Sequence, residues 1–201
     1  MLDIKLTPFR PLQTQRLTLR KLTAADAPAV RFFRSDEAML RYIPREQDAT
    51  LAGAHHYLQM LATLQMKNSA ITWGMALPGD AGLIGTICLW NMQPAHHRAE
   101  IGYGLHPAYW HQGLMSEAVA EVIRFGFEEL GLHSIEACLH PDNAPSIRLL
   151  ERHGFVREAH LRENYYFQGQ FLDTIIYSRL ASQAVVRQPS TSHRQPNTHT
   201  L

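Results

Sequence analysis

Cysteine is scarce in these 201 residues, with Cys88 and Cys138 the only two. Neither has a partner at Cys-x-x-Cys spacing, which removes zinc-ribbon and thioredoxin-like readings. Both sit in apolar, strand-like runs and read as reduced core thiols, the usual state in a reducing cytoplasm. Long apolar runs are missing too. No stretch approaches the roughly 18 residues that a membrane span requires. The opening residues, Met1-Leu2-Asp3-Ile4-Lys5, hold no apolar secretion core. Net charge is small: 19 Lys and Arg against 18 Asp and Glu leave +1. That is far from the basic excess of a dedicated nucleic-acid binder. The 12 histidines are scattered. His55-His56 and His96-His97 are adjacent rather than i, i+4, so neither pair places two ligands on one helix face, and no metal is expected. These absences describe a cytoplasmic protein with no membrane or nucleic-acid partner.

What is present is the composition of an ordinary globular domain, with 45% hydrophobic residues and enough length to bury one core without disulfide or metal staples. Arg16 to Arg20 alternates polar and apolar residues, as a half-buried strand does. Thr23 and Asp26 suit a helix start. Leu51 to Met66 repeats its apolar residues at three and four. Two strands follow, Ala70 to Leu77 and Leu83 to Trp90, joined by the turn signal Pro78-Gly79-Asp80-Ala81-Gly82. Ala99 to Leu105 predicts another strand. Ser116 to Leu130 is the clearest helix, with Val119, Val122, Ile123, Phe127 and Leu130 on one stripe and Gly131 as its stop. A strand over Ser134 to Leu139 leads to a helix with Asn143 as its cap, Pro145 in its first turn and Gly154 at its end. Two last strands, Phe155 to Leu161 and Phe171 to Arg179, flank a loop holding Gly169. After Ser182 the composition turns to Gln, Pro, Ser, Thr and His, which predicts an unstructured tail over 182–201. The order of elements describes an α/β protein with a mixed sheet and helices on both faces.

The chemistry concentrates where a strand passes into the best helix, over Leu105-His106-Pro107-Ala108-Tyr109-Trp110-His111-Gln112-Gly113-Leu114-Met115-Ser116. Free N–H groups at a helix N-terminus point at one spot with the helix dipole behind them. Gly113 allows a ligand to approach the backbone closely. Such a turn suits a diphosphate. An ordinary strand-to-helix turn has the same residues, so the local pattern leaves both open.

Five blocks in register resemble one family. They are Thr14-Gln15-Arg16-Leu17-Thr18-Leu19-Arg20, Gly82-Leu83-Ile84-Gly85-Thr86-Ile87, Ala99-Glu100-Ile101-Gly102-Tyr103, Trp110 to Met115, and Asn143-Ala144-Pro145-Ser146 with His153-Gly154-Phe155. Together, from about Arg16 to Leu180, they are similar to the GNAT superfamily of N-acetyltransferases and, within it, to the Rim-type branch that acetylates protein N-termini. The resemblance implies a GNAT domain over residues 1–181 with a mixed central sheet of six to seven strands and a splayed fourth strand. It implies acetyl-CoA as co-substrate. The backbone N–H groups of His111, Gln112, Gly113, Leu114, Met115 and Ser116 would hold its pyrophosphate. The backbone around Tyr103, Gly104 and Leu105 would pair with the pantetheine arm. Asn143 would bond the same arm or order the amine site, beside its plain role as a helix cap. The chain departs from the family pattern at Trp110, where Arg or Gln is usual, and at Met115, where Gly or Ala is usual.

For proton transfer the resemblance offers Glu100 as the base, with Glu163 as a second candidate. The superfamily's usual acid, a tyrosine four residues before the Gly-Phe pair, is Leu150 here. The Rim-type branch offers Ser146 in its place. The expected acceptor is a protein N-terminal α-amine, of ribosomal-protein type. A small amine (antibiotic, polyamine or amino acid) is the alternative, and an acyl-CoA-binding sensor without turnover is a further one. Exposed strand edges in this fold leave room for a homodimer.

Overall fold

The computed structural model describes residues 2–184. Two short strands, β1 (Leu12–Gln13) and β2 (Thr18–Lys21), open the sheet. Leu17 and Leu19 alternate into the core at 0% exposure. Arg20 grips Asp26 with two hydrogen bonds, at 2.7 and 3.0 Å, and Asp26 accepts from the Thr23 backbone at 2.7 Å. This fixes the entry to α1 (Ala27–Phe33). A single turn, α2 (Glu37–Leu40), and the longer α3 (Leu51–Met66) follow, capped by Asp36 and Thr50. The antiparallel strands β3 (Ile71–Ala76), β4 (Gly85–Gln93) and β5 (Arg98–Leu105) come next. Helix α4 (Leu114–Arg124) continues as a π-helical turn over Phe125–Glu129. It returns the chain to β6 (Ser134–Leu139), which lies parallel to β5. Helix α5 (Ala144–Arg152) then leads into the hairpin β7 (Val156–Phe167) and β8 (Gln170–Leu180).

The strands form one mixed sheet in the order β1-β2-β3-β4-β5-β6-β8-β7. Its odd-numbered residues on β3, β4, β5 and β6, including Trp73, Ile87, Leu89, Ala99, Ile101 and Ile135, meet Val119, Val122 and Ile123 of α4 and Leu150 of α5 in the main core. A smaller cluster, Ala27, Val30 and Ala54, joins α1 to α3 beside Leu83. The even-numbered β5 and β6 residues, Glu100 and Glu136 among them, point away from the main core by the period of two along a strand.

Eight strands are present where six to seven were expected. The two residues of β1 are too few to show a period, and their pairing with β2 comes from tertiary contact. The last hairpin is longer than expected because Gln168 and Gly169, at φ of 46° and 84°, make a tight two-residue turn. The polar run at Arg162-Glu163-Asn164 is a bulged part of β7 rather than a loop. The expected core thiols are both free, but Cys88 is half-buried and Cys138 exposed. The tail expected from 182 first meets a 3-10 turn at Ala181–Ala184, and its remainder lies outside the described residues. Among the described residues no helix is long and apolar enough to cross a membrane.

Trp73 anchors the core. It is 0% exposed, its ring lies edge-on to Phe125 at 5.3 Å, and its indole donates to the Arg10 carbonyl at 2.8 Å. Trp73→Ala should lower unfolding stability by about 3–5 kcal/mol, measured by chemical denaturation.

Candidate functional site

The centre of the sheet comes apart at one place. Strands β5 and β6 pair at Arg98 with Ser134, Ala99 with Ile135 and Glu100 with Glu136. Beyond those three pairs they diverge. Strand β5 stays paired to β4 as far as Leu105 opposite Gly85, and β6 stays paired to β8 as far as Leu139 opposite Ile175. A wedge therefore opens between them, edged on one side by the backbone of Ile101 to Leu105. A bulge in β4 between Trp90 and Gln93 lies beside the point of divergence, with Asn91 at φ 48°. Bulges bend and twist a strand, which suits the parting of β5 from its neighbour.

At the wide end of the wedge the chain turns into α4. A 3-10 turn over Pro107–Tyr109 leads to His111 at φ 61° and to Gly113 at φ 78°, the latter capping the helix without a side chain. Helix geometry leaves the N–H groups of Leu114, Met115 and Ser116 without intrahelical acceptors. The turn is held from behind. The Trp110 indole donates to the Leu105 carbonyl at 2.6 Å, the Gln112 side chain to the Ala108 carbonyl at 3.1 Å, and the Arg16 guanidinium to the Gln112 carbonyl at 3.0 Å. Arg16 also pairs with Glu117 at 2.5 Å, offsetting a carboxylate that otherwise opposes an anion at this helix end. The Ser116 hydroxyl is 2.8 Å from His153 Nε2. Burial, with Arg179 and Arg152 nearby, holds His153 below its ordinary pKa, so a neutral imidazole braces α4 against α5.

Glu100 stands at the point of the wedge and is 8% exposed. Burial, together with the Glu136 carboxylate on the neighbouring strand, pushes its pKa up to about 7, against hydrogen bonds from Asn91 and Cys138. Glu136 is itself ion-paired to Arg98. Glu100, Glu136 and Cys138 bring ligand-type atoms within 4.8 Å of one another, and Arg98 supplies positive charge to that group.

On the other side of the wedge, Asn143 caps α5 by accepting from the Ser146 N–H at 3.2 Å. The plain capping role is therefore realised. The Ser146 side chain is a hydrogen-bond partner of the Tyr103 hydroxyl, whose pKa burial pushes up to about 12. Leu150 is 1% exposed in the core. The fold thus brings Tyr103, Gly104, Leu105, Asn143 and Ser146 to the borders of one cleft, with His111 to Ser116 at its wide end and Glu100 at its point. Glu163 lies exposed in the β7 bulge at φ 51°, and its N–H donates to Asp173 at 2.9 Å. That part of the hairpin extends past the end of β6, and Tyr165 reaches across to the Pro44 carbonyl at 3.3 Å.

An open groove of ≈ 340 Å³ lies between the α2 region and the hairpin tip, lined by Glu37, Leu40, Ile43, Arg45, Gln47 and Phe167, among others. Arg45 and Glu100 both act electrostatically on the Cys88 thiol. Tyr42 packs toward His140 with ring centroids 6.0 Å apart, so the segment after α2 also reaches the end of β6. Sequence reasoning missed Arg16, Arg45 and His153 as parts of the site. Arg16 lies 96 residues from Gln112, and no local pattern signals a contact of that range.

Residues 16–156 match the family profile described as the acetyltransferase (GNAT) domain. The uncharacterized N-acetyltransferase YoaA of Bacillus subtilis is 38% identical over 170 residues, 85% of this chain and 96% of its own length. A GNAT-family acetyltransferase from Bacillus anthracis superposes with a TM-score of 0.77 at 27% identity, over 86% of this chain and 99% of that one. The ribosomal-protein-S5-alanine acetyltransferase from Vibrio fischeri gives 0.76 at 25% identity, over 86% and 97%.

Two outcomes follow from this geometry. Gly113→Ala puts a side chain at φ 78° with its Cβ 3.3 Å from Arg16, a strain of about 1–2 kcal/mol; it should weaken CoA binding by calorimetry while leaving the far-UV spectrum unchanged. For Glu100, a folded-state pKa raised from 4.5 to about 7 favours the protonated form. The stability this contributes is fully present below 4.5 and is lost as pH rises through about 7. Glu100→Gln, which cannot ionise, should therefore gain stability relative to the unsubstituted protein across that window, read from denaturation midpoints at pH 4.5 and 8.

Proposed function

Because the chain belongs to the GNAT acetyltransferase family, with residues 16–156 matching its domain, we propose that it transfers the acetyl group of acetyl-CoA to a protein N-terminal α-amine, of ribosomal-protein type. The observation that carries this reading is the carboxyl group of Glu100, buried at the point of the wedge with a pKa raised to about 7. A base of that strength matches an α-ammonium group, whose pKa is about 8, better than a lysine ammonium at about 10.4. The groove between the α2 region and the hairpin tip is open, which suits a chain end. The likeness to the ribosomal-protein-S5-alanine acetyltransferase from Vibrio fischeri supports the same acceptor class.

In this reading the α4 N-terminus and the turn before it, His111 to Ser116, hold the pyrophosphate of the co-substrate through backbone N–H groups. The unpaired edge of β5 at Tyr103, Gly104 and Leu105 aligns the pantetheine arm as a strand would be aligned. Asn143 holds the first turn of α5 in place. Glu100 accepts the proton of the incoming amine, whose nitrogen then attacks the thioester carbonyl directly. Ser146 faces the leaving sulfur as its hydrogen-bond donor. Glu163, on the hairpin arm, is the alternative base.

Free-thiol release from acetyl-CoA, measured against N-terminal peptides and small amines, tests the acceptor. Release with peptides alone is expected; release with small amines alone would move the function to metabolite or drug modification. Acetyl-CoA binding without release from any amine would favour a sensor. The rate with a peptide should rise with pH through about 7, the value to which Glu100 is raised. Glu100→Gln should lower kcat/KM by about 10²-fold or more at neutral pH and by less at pH 9, where the amine is already deprotonated. The same loss at both values would remove Glu100 as the base, and Glu163→Gln would then be the variant to carry the effect.

A further inference from the structure

The chain has 3 tryptophans, and their indole nitrogens differ in one respect. Trp73 donates to the Arg10 carbonyl at 2.8 Å and Trp110 to the Leu105 carbonyl at 2.6 Å. Trp90, 45% exposed, finds no acceptor for its own N–H among the described residues. It stands opposite Glu100 in the β4–β5 ladder, and directly paired residues share a face of the sheet. The indole leans across β5. A Cβ placed on Gly102 would lie 3.6 Å from Trp90 Nε1, 3.8 Å from Cδ1 and 3.1 Å from the Cys88 sulfur. The nitrogen edge of the ring therefore lies over Gly102, on the stretch of β5 that has left β6. Farther along the same face, a Cβ on Gly104 would meet the Met39 methyl of α2 at 3.2 Å. With glycine at both positions, no side chain of β5 stands between Glu100 and Met39.

We propose that Trp90 is a specificity residue of the acceptor site, its indole N–H donating to the first carbonyl oxygen of a peptide whose α-amine is held by Glu100. The inference deepens the acetyl-transfer reading above and rests on it. Positions 100 and 102 lie about 6.6 Å apart along the strand. A hydrogen bond of about 2.9 Å at each end leaves a gap that an α-aminoacyl group spans, because its carbonyl carbon is two bonds from its nitrogen. Gly102 is part of the arrangement, since a side chain there would press on the indole edge and occupy the place of the carbonyl. A lysine side chain or a polyamine presents methylenes at that distance. It would cover the N–H without pairing it, which is destabilising. The carbonyl persists unchanged through the transfer, so Trp90 holds the ground state and the transition state alike.

The test measures free-thiol release with two acceptors. One is a peptide beginning with alanine. The other is the same peptide with its first amide replaced by a trans-alkene, which keeps the shape and the α-amine and removes the carbonyl oxygen. Trp90→Phe keeps an aromatic ring and removes the N–H. It should raise KM for the amide peptide about five- to tenfold and leave kcat within about twofold. KM for the alkene peptide should move by less than about twofold. Should Trp90→Phe unfold, benzothienylalanine at position 90 puts sulfur in place of the indole nitrogen with little change of shape, and it should give the same pattern. Equal rises in KM for both acceptors would make Trp90 a packing surface and overturn the proposal. An amide KM that the loss of the N–H leaves unchanged, or an effect confined to kcat, overturns it as well. An unsubstituted protein that releases no thiol with any amine overturns the acetyl-transfer reading, an outcome distinct from an active protein indifferent to Trp90.

Discussion

Beyond Glu100 and Glu136 the two central strands stop sharing hydrogen bonds, and most of what surrounds them exists to make that parting stable. Backbone groups without partners destabilise a buried sheet. Here each strand keeps its outer neighbour, β4 for β5 and β8 for β6, so only the inner edges are exposed. The main core lies under one face, with Trp73 set edge-on to Phe125. The bulge at Asn91 adjusts β4 at the same level. A sheet held on both flanks and loosened at its middle leaves strand-like donors and acceptors free along the inner edge of β5.

The charges follow the same geometry. The wedge has an electropositive wide end, built from helix N–H groups and the Arg16 guanidinium that offsets Glu117. Its point holds the opposite sign: Glu100 and Glu136 face each other across the last strand pair, and one of them is paired to Arg98. Like charges at that spacing cannot both ionise easily. Burial raises the proton affinity of Glu100 most, and the register of the sheet, fixed by where β6 docks, raises it further by setting Glu136 alongside.

The parts of this molecule that were legible in the sequence are those written locally. The stripe of Val119, Val122 and Ile123 marks α4, Asn143 marks the start of α5, and Gly113 marks the turn that needs a positive φ. The helix begins at Leu114 rather than Ser116, a shift that local pattern resolves poorly. The strand carrying Glu100 was legible from the residues, and its splay from the family blocks. What perturbs Glu100 was not, because its burial is set by tertiary packing and Glu136, 36 residues away, enters only through strand pairing. The hairpin was read too short because Arg162, Glu163 and Asn164 are polar; a strand exposed on both faces has no hydrophobic alternation to betray it.

The hairpin's reach to Pro44 through Tyr165 has an evolutionary consequence. The turn at Gly113 and the unpaired edge of β5 are tied into the core, while the groove opposite is walled by side chains such as Ile43 and Phe167 that are exposed or half-exposed. Substitutions in that wall remove little buried surface and leave the turn at Gly113 and the edge of β5 intact. One half of the molecule is thus constrained by packing while the surface opposite is free to drift.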